Sequence, residues 1–182
     1  MGLARNVIRF VLAVGLLIGC QNKGEQAPPA PTPRAPRVLH LVKQRGPSDC
    51  GDAAIAMTLD YYGKPAALDA IEHELPPGAD GVSALQLLKL AESRGLGVEG
   101  VKVITPRHAS LLRAGDILHV DEHHFVVVDH VSDDGIHVLD PDSGPDVVAL
   151  TDPTHPYRAA LVFADTPAAL DERLHPTVTA PK

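Results

Sequence analysis

The chain has 182 residues, 45% hydrophobic but only 3% aromatic and without tryptophan, which limits it to one cored domain plus shorter extras. Its formal net charge is −7, and no lysine- or arginine-rich run follows Arg37. That charge pattern excludes nucleic acid as a partner and argues against charge-driven adsorption to anionic lipid.

Residues 1–20, "MGLARNVIRFVLAVGLLIGC", read as an export signal. Arg5 and Arg9 precede a short apolar run, Phe10 to Ile18. That run is too short to span a bilayer comfortably. Its end, Leu17-Ile18-Gly19-Cys20, resembles a bacterial lipobox, which implies that Cys20 is acylated and becomes the mature N-terminus. The alternative is a plain N-terminal membrane anchor with a chance cysteine. Removing residues 1–19 takes away two arginines and brings the formal charge to −9. Residues 21–37 carry five prolines and no hydrophobic period, as expected of an extended linker. Seventeen residues at roughly 3.1 Å each reach about 50 Å from the anchor. The reading is therefore a lipid-anchored protein of the bacterial cell envelope, facing the periplasm or exterior.

From Val38 the composition turns globular. "VLHLV" (38–42) reads as a strand. Ser48 or Asp49 can cap a helix from Cys50 to Tyr62 that Gly63 ends, and 67–75 reads as a second helix stopped by two prolines. In 81–97, Ser83 is the expected N-cap, with Leu85, Leu88 and Ala91 as the apolar face. A strand over 98–104 and a short helix around 106–112 follow. "GDILHV", "HFVVVDHV", "IHVLD", "VVAL" and "AALVFA" then read as strands. The predicted fold is α+β over 38–165, helices first and antiparallel sheet second, with a tail over 166–182 holding one short helix.

If Cys20 is spent on lipid, Cys50 is an unpaired thiol in a disulfide-permissive compartment. At the first turn of a helix it meets free backbone N–H groups that favour thiolate, while Asp49 and Asp52 oppose this. From this segment alone a buried structural cysteine is the better reading. A base has to come from elsewhere. His119, Asp121 and His123 alternate and suggest a metal alternative, but their spacing matches no established ligand pattern. No cofactor is implied. His124 opens a β-branched run whose Val126 and Val128 share its face, and Asp140 closes the next strand. A tight turn at Asp134-Gly135 would put Asp140 opposite Asp129, roughly 17 Å from His124. A wider loop over 130–134, or a bulge, is needed to bring the two together.

The ordered set Q-x4-D-C-G-x-A…M…YYG, G-x-S…L…A…G, HFVV and LDP-x2-G resembles the double-glycine-leader, bacteriocin-processing cysteine peptidases (cysteine peptidase family 39) over residues 38–164. The resemblance implies a papain-like fold. It also implies Cys50 as nucleophile, His124 as general base, Asp140 as its orienter and Gln44 in the oxyanion hole. A peptide or protein is then the substrate. Many relatives are N-terminal domains of ABC exporters. This chain contains no multi-span region and no GxxxxGK[ST] loop, so any ABC transporter partner would be separate, and the substrate carries over less well than the reaction. Two alternatives remain: a non-catalytic peptide-binding module on the same fold, and a cell-wall amidase or acyltransferase using the same Cys-His chemistry.

Overall fold

The computed structural model describes residues 36–76, 78–103, 106–121, 123–150 and 158–176. Cys20, the export segment and residues 21–35 of the linker lie outside them.

The expected strand at 38–42 does not form. Leu39 and Val42 pack onto the core, but the segment joins no strand of the sheet. Its half-buried course over the core gives it a strand-like alternation without a strand's pairing. Helix α1 (Cys50–Tyr61) follows, with ten consecutive buried residues from Cys50 to Leu59. A helix buried all round needs small side chains, and Gly51, Ala53, Ala54 and Ala56 supply them. Gly63, at φ +70°, ends it in a Schellman motif: Gly63 N–H donates to the Asp60 carbonyl and Lys64 N–H to the Leu59 carbonyl, both at 2.8 Å. Next come α2 (Leu68–Glu74) and α3 (Ala84–Ser93).

α3 carries the expected cap at Ser83, with Gln86 completing a capping box. Its buried face differs from the expected one: Leu87, Leu90 and Ala91 are buried, whereas Leu85 is 58% exposed. The residue before the cap decides the rotation. Val82 and Leu87 stand at the two staple positions of this helix start and are buried in the same cluster.

A six-stranded sheet then forms from β1 (Gly97–Val103), β2 (Ile117–Val120), β3 (His124–Ser132), β4 (Gly135–Asp140), β5 (Gly144–Val148) and β6 (Arg158–Ala164). Every pairing is antiparallel, in the order β1-β6-β2-β3-β4-β5. Short α4 (Pro106–Ala109) precedes β2, and α5 (Pro167–Leu174) follows β6. Both sheet faces are covered, so β3 is a continuous apolar run. Phe125 and Val127 join the cluster under α1–α3; Val126 and Val128 join the one that holds Ala109, Leu112 and Leu170. Because α5 is docked through Leu170 and through Arg173 on buried Asp116, the packed body runs past residue 165.

Candidate active site

Cys50 is the first residue of α1, and Asp49 before it makes no side-chain cap. The first amides of a helix have no intrahelical acceptor, so those beside the thiol remain available. The chain is packed tightly here. A Cβ on Gly51 would lie 2.4 Å from a Val82 methyl, and one on Gly81 (φ +78°) 2.7 Å from the Ser48 carbonyl oxygen. These two glycines let the 78–82 loop close against the start of α1. Cys50 is 5% exposed and has no disulfide.

β3 passes directly beneath the thiol. The thiol donates to the His123 carbonyl at 3.7 Å, and the Phe125 N–H donates to the sulfur. The His124 side chain is hydrogen-bonded to Cys50, and its Nε2 lies 3.0 Å from Asp140 Oδ1. With Nε2 engaged by the carboxylate, Nδ1 is the ring nitrogen left for sulfur. Asp140 is fixed in turn by the β4–β5 turn, where its Oδ1 accepts from Asp142 N–H at 2.6 Å and Ser143 N–H at 3.3 Å. A D-P-D-S-G sequence favours this Asx turn, and Gly144 takes the positive φ (+106°) that completes it.

His124 and Asp140 meet without the wide loop. The hairpin turns tightly at Asp133-Asp134, with Ser132 opposite Gly135. The register then shifts between Val128 and His130, leaving Asp129 as an extra residue. Without that bulge the ladder would run on to set Asp140 opposite Val127, on the wrong face. With it Asp140 extrapolates to Val126, which shares a face with His124. Diagonal neighbours on one face are roughly 7–8 Å apart between backbones, within reach of an imidazole and a carboxylate.

The electrostatics follow from these contacts. Hydrogen bonding to Cys50 raises the His124 pKa to about 9, against burial and with help from Asp140. Burial pushes the Cys50 thiol up, but the hydrogen bond to His124, the Phe125 amide and the imidazolium charge outweigh it and bring the thiol below its ordinary range. Burial likewise opposes the Asp140 charge, and the Asp142 amide and His124 overcome it, so this carboxyl is lowered. Thiolate and imidazolium are therefore the favoured pair.

Gln44 is joined to the same site by its backbone, which donates to the Pro141 carbonyl at 3.1 Å. Its side-chain Nε2 donates to Gly46 at 2.9 Å, and Oε1 is buried without a partner. One of the two amide hydrogens is thus committed. Lys43 reinforces the junction by donating to the Asp142 carbonyl. Sequence reasoning did not find the backbone groups of His123, Phe125 and Pro141, because a main-chain donor or acceptor leaves no mark in residue type.

A cleft of about 300 Å³ opens between the 80–84 loop and His123, the residue whose carbonyl the thiol meets. It shares Ala84, His119 and Phe125 with an apolar recess of about 200 Å³ running under Ile117 and Leu161. His119 stacks on Phe125 at 4.6 Å and forms the wall between them.

A helix that opens on a cysteine and packs on an antiparallel sheet carrying histidine and aspartate is the papain-like arrangement. Solved structures agree. A double-glycine-motif protease from an AMS/PCAT transporter, in complex with its leader peptide, matches with TM-score 0.61 and 26% identity, covering 70% of this chain and 92% of that one. The peptidase domain of Streptococcus ComA shares the fold at TM-score 0.57 and 19% identity, covering 70% and 98%. Residues 39–167 match the Peptidase C39 family, and the chain belongs to that family. Among curated relatives, the transport/processing ATP-binding protein ComA of Streptococcus pneumoniae is 32% identical over 115 residues, which is 58% of this chain and 15% of ComA. The pediocin PA-1 transport/processing ATP-binding protein PedD of Pediococcus acidilactici is 34% identical over 100 residues, 52% of this chain and 14% of PedD. The chain thus spans about a seventh of the length of these relatives.

Proposed function

We propose that the chain is a cysteine peptidase that cleaves leader-type peptides. Cys50 is its nucleophile, His124 its acid and base, Asp140 the residue that positions His124, and Gln44 an oxyanion donor. The observation that carries this reading is His124, held between the Cys50 thiol and Asp140 Oδ1 at 3.0 Å. Asp140 keeps one tautomer and one ring orientation, so the other nitrogen faces sulfur throughout the reaction.

The thiolate attacks the scissile carbonyl carbon. The oxyanion that develops accepts from the Cys50 backbone N–H, at the uncapped start of α1, and from the second amide hydrogen of Gln44. The imidazolium gives its proton to the leaving amine. His124 then takes a proton from water, which attacks the thioester and frees the acyl group and the thiolate. The apolar recess next to the cleft suits a hydrophobic side chain of the peptide. We also propose that acylation at Cys20 anchors the chain to the envelope membrane, on the strength of the Leu17–Cys20 pattern.

Alkylation by iodoacetamide and cleavage of a synthetic double-glycine leader peptide test the roles together. Cys50→Ala is expected to abolish both. His124→Ala should lose rapid alkylation, and His123→Ala should keep it. Gln44→Ala should alkylate normally yet cleave about 10²–10³-fold more slowly, the loss typical of one oxyanion donor. Equal alkylation of the two histidine variants would remove His124 from the mechanism. Hydrolysis of peptidoglycan with no peptide cleavage would point to an amidase.

A further inference from the structure

Outside the Cys50 site, histidines and carboxylates meet at the opposite end of the β3–β4 hairpin. His130 and His137 are direct register partners across the two strands. Their rings stack with centroids 4.1 Å apart and planes 10° from parallel. Each ring has its own carboxylate: His130 Nδ1 lies 2.9 Å from Asp129 Oδ2, and His137 Nε2 lies 3.1 Å from Asp134 Oδ1. The Ser132 hydroxyl donates to the same Asp134 oxygen. That bond and the one from His137 converge on the Asp134 carboxyl, which serves both as acceptor.

An imidazole that donates through one nitrogen carries a lone pair on the other. His130 therefore offers Nε2 and His137 offers Nδ1, and neither nitrogen has a partner among the described residues. We propose that His130 and His137 form a two-nitrogen site for a divalent transition metal of the Zn²⁺ type, with water completing its coordination.

A metal-bound histidine nearly always donates its second N–H to a carboxylate, and here both do so already. Imidazole nitrogen suits Zn²⁺, Cu²⁺ and Ni²⁺, and the side chains, 55% and 27% exposed, leave room for entering ion and water. Two adjacent carboxylates offset its charge. Among the described residues no three histidine, cysteine, aspartate or glutamate side chains converge on one point, so the site is bidentate and open. One ring has to tilt out of the stack about its N–H···carboxylate bond, with the exposed Asp129 or Asp134 side chain moving with it, for both lone pairs to meet the ion. The bridge would clamp β3 to β4 beside the Asp129 bulge, on the hairpin whose other end holds His124 and Asp140.

The test is calorimetric titration of the full chain with Zn²⁺ in a Cys50→Ala background, which removes the thiolate as a rival ligand. One equivalent should bind. His130→Ala and His137→Phe should each weaken that event at least about tenfold, since Phe keeps a ring to stack but has no lone pair. Asp134→Asn should weaken it about tenfold through the outer shell. His175→Ala, which removes an exposed histidine also paired with an aspartate, should change nothing. Absence of binding overturns the proposal, as does an isotherm unchanged in either His130→Ala or His137→Phe.

Discussion

Asp52 stands in the first turn of α1, two residues after the thiol, with no solvent exposure and no hydrogen-bond partner for either carboxylate oxygen. Burial first, then the charges of Asp49 and Glu72, raise its pKa from 3.8 to about 6. A carboxyl raised on folding costs nothing below its unfolded value, and its cost grows as pH rises toward the folded one. Two units correspond to about 3 kcal/mol, fully felt above pH 6. The isosteric Asp52→Asn variant should therefore match the parent near pH 4 and exceed it by up to about 3 kcal/mol at pH 7.5, read from urea midpoints at the two pH values. The sign is opposite to that of most native carboxylates. At His124 the pKa is raised to about 9, so the interactions that raise it are complete below 6.5 and lost as pH climbs through 9. The rate of amine release should fall over the same upper limb. Asp140→Ala removes the second source of that elevation, and the alkaline limb of kcat/KM should move to lower pH. An unmoved limb would mean that Asp140 positions nothing.

At the scale of elements, Arg173 on α5 decides whether the C-terminal helix belongs to the fold. Its guanidinium lies on the fully buried Asp116 of the β2 approach, with 2.8 Å to Oδ1 and a contact to Oδ2, and it also donates to the Phe163 and Leu111 carbonyls. Burial pushes the Asp116 pKa up, and Arg173 opposes this, so removing the arginine leaves a buried carboxylate with no counter-charge and only the Arg113 and Phe163 N–H groups as donors. Arg173→Met should cost about 3–5 kcal/mol in denaturant unfolding. Asp116 and Arg173 looked like ordinary polar positions in the sequence, because a buried ion pair is a matter of who meets whom across 57 residues. The bulge is similar. Asp129 is an ordinary residue inside a strand of good β propensity, and only the opposing strand's register turns it into the extra residue that aligns His124 with Asp140. By contrast, Cys50 at a helix start, Ser83 as an N-cap and Asp140 at the end of a strand were legible. Their chemistry is local, acting within three or four residues of chain. The segment 38–42 shows the limit of that rule: its alternation was legible, but its failure to pair depends on the sheet finding its partners elsewhere.

At the scale of the whole molecule, both core clusters and all four residues assigned to catalysis lie within 36–182, which forms a compact unit of its own. Arg37, at its start, is already tied in, with a guanidinium nitrogen 2.5 and 2.7 Å from the two Asp165 oxygens and its charge over the Tyr62 ring at 4.8 Å. The fold thus uses the chain from the last linker residues onward, and everything assigned to membrane attachment precedes them. Deleting residues 1–35 should leave the melting temperature, alkylation rate and leader-peptide cleavage unchanged, while the full chain, but not the truncated one, fractionates with membranes. Cys20→Ser in the full chain should release it from palmitate labelling without changing the rate of Cys50 alkylation. If the truncated protein is unstable or slow to alkylate, the N-terminal segment contributes to the site and cannot be a tether alone. If Cys20→Ser keeps its label, the anchor is some other group. Separating attachment from chemistry in this way also tests the linker's proposed part: a tether with the reach expected from its sequence, about 50 Å, would set where the proposed peptidase meets its peptide and leave the chemistry assigned to Cys50 and His124 unchanged.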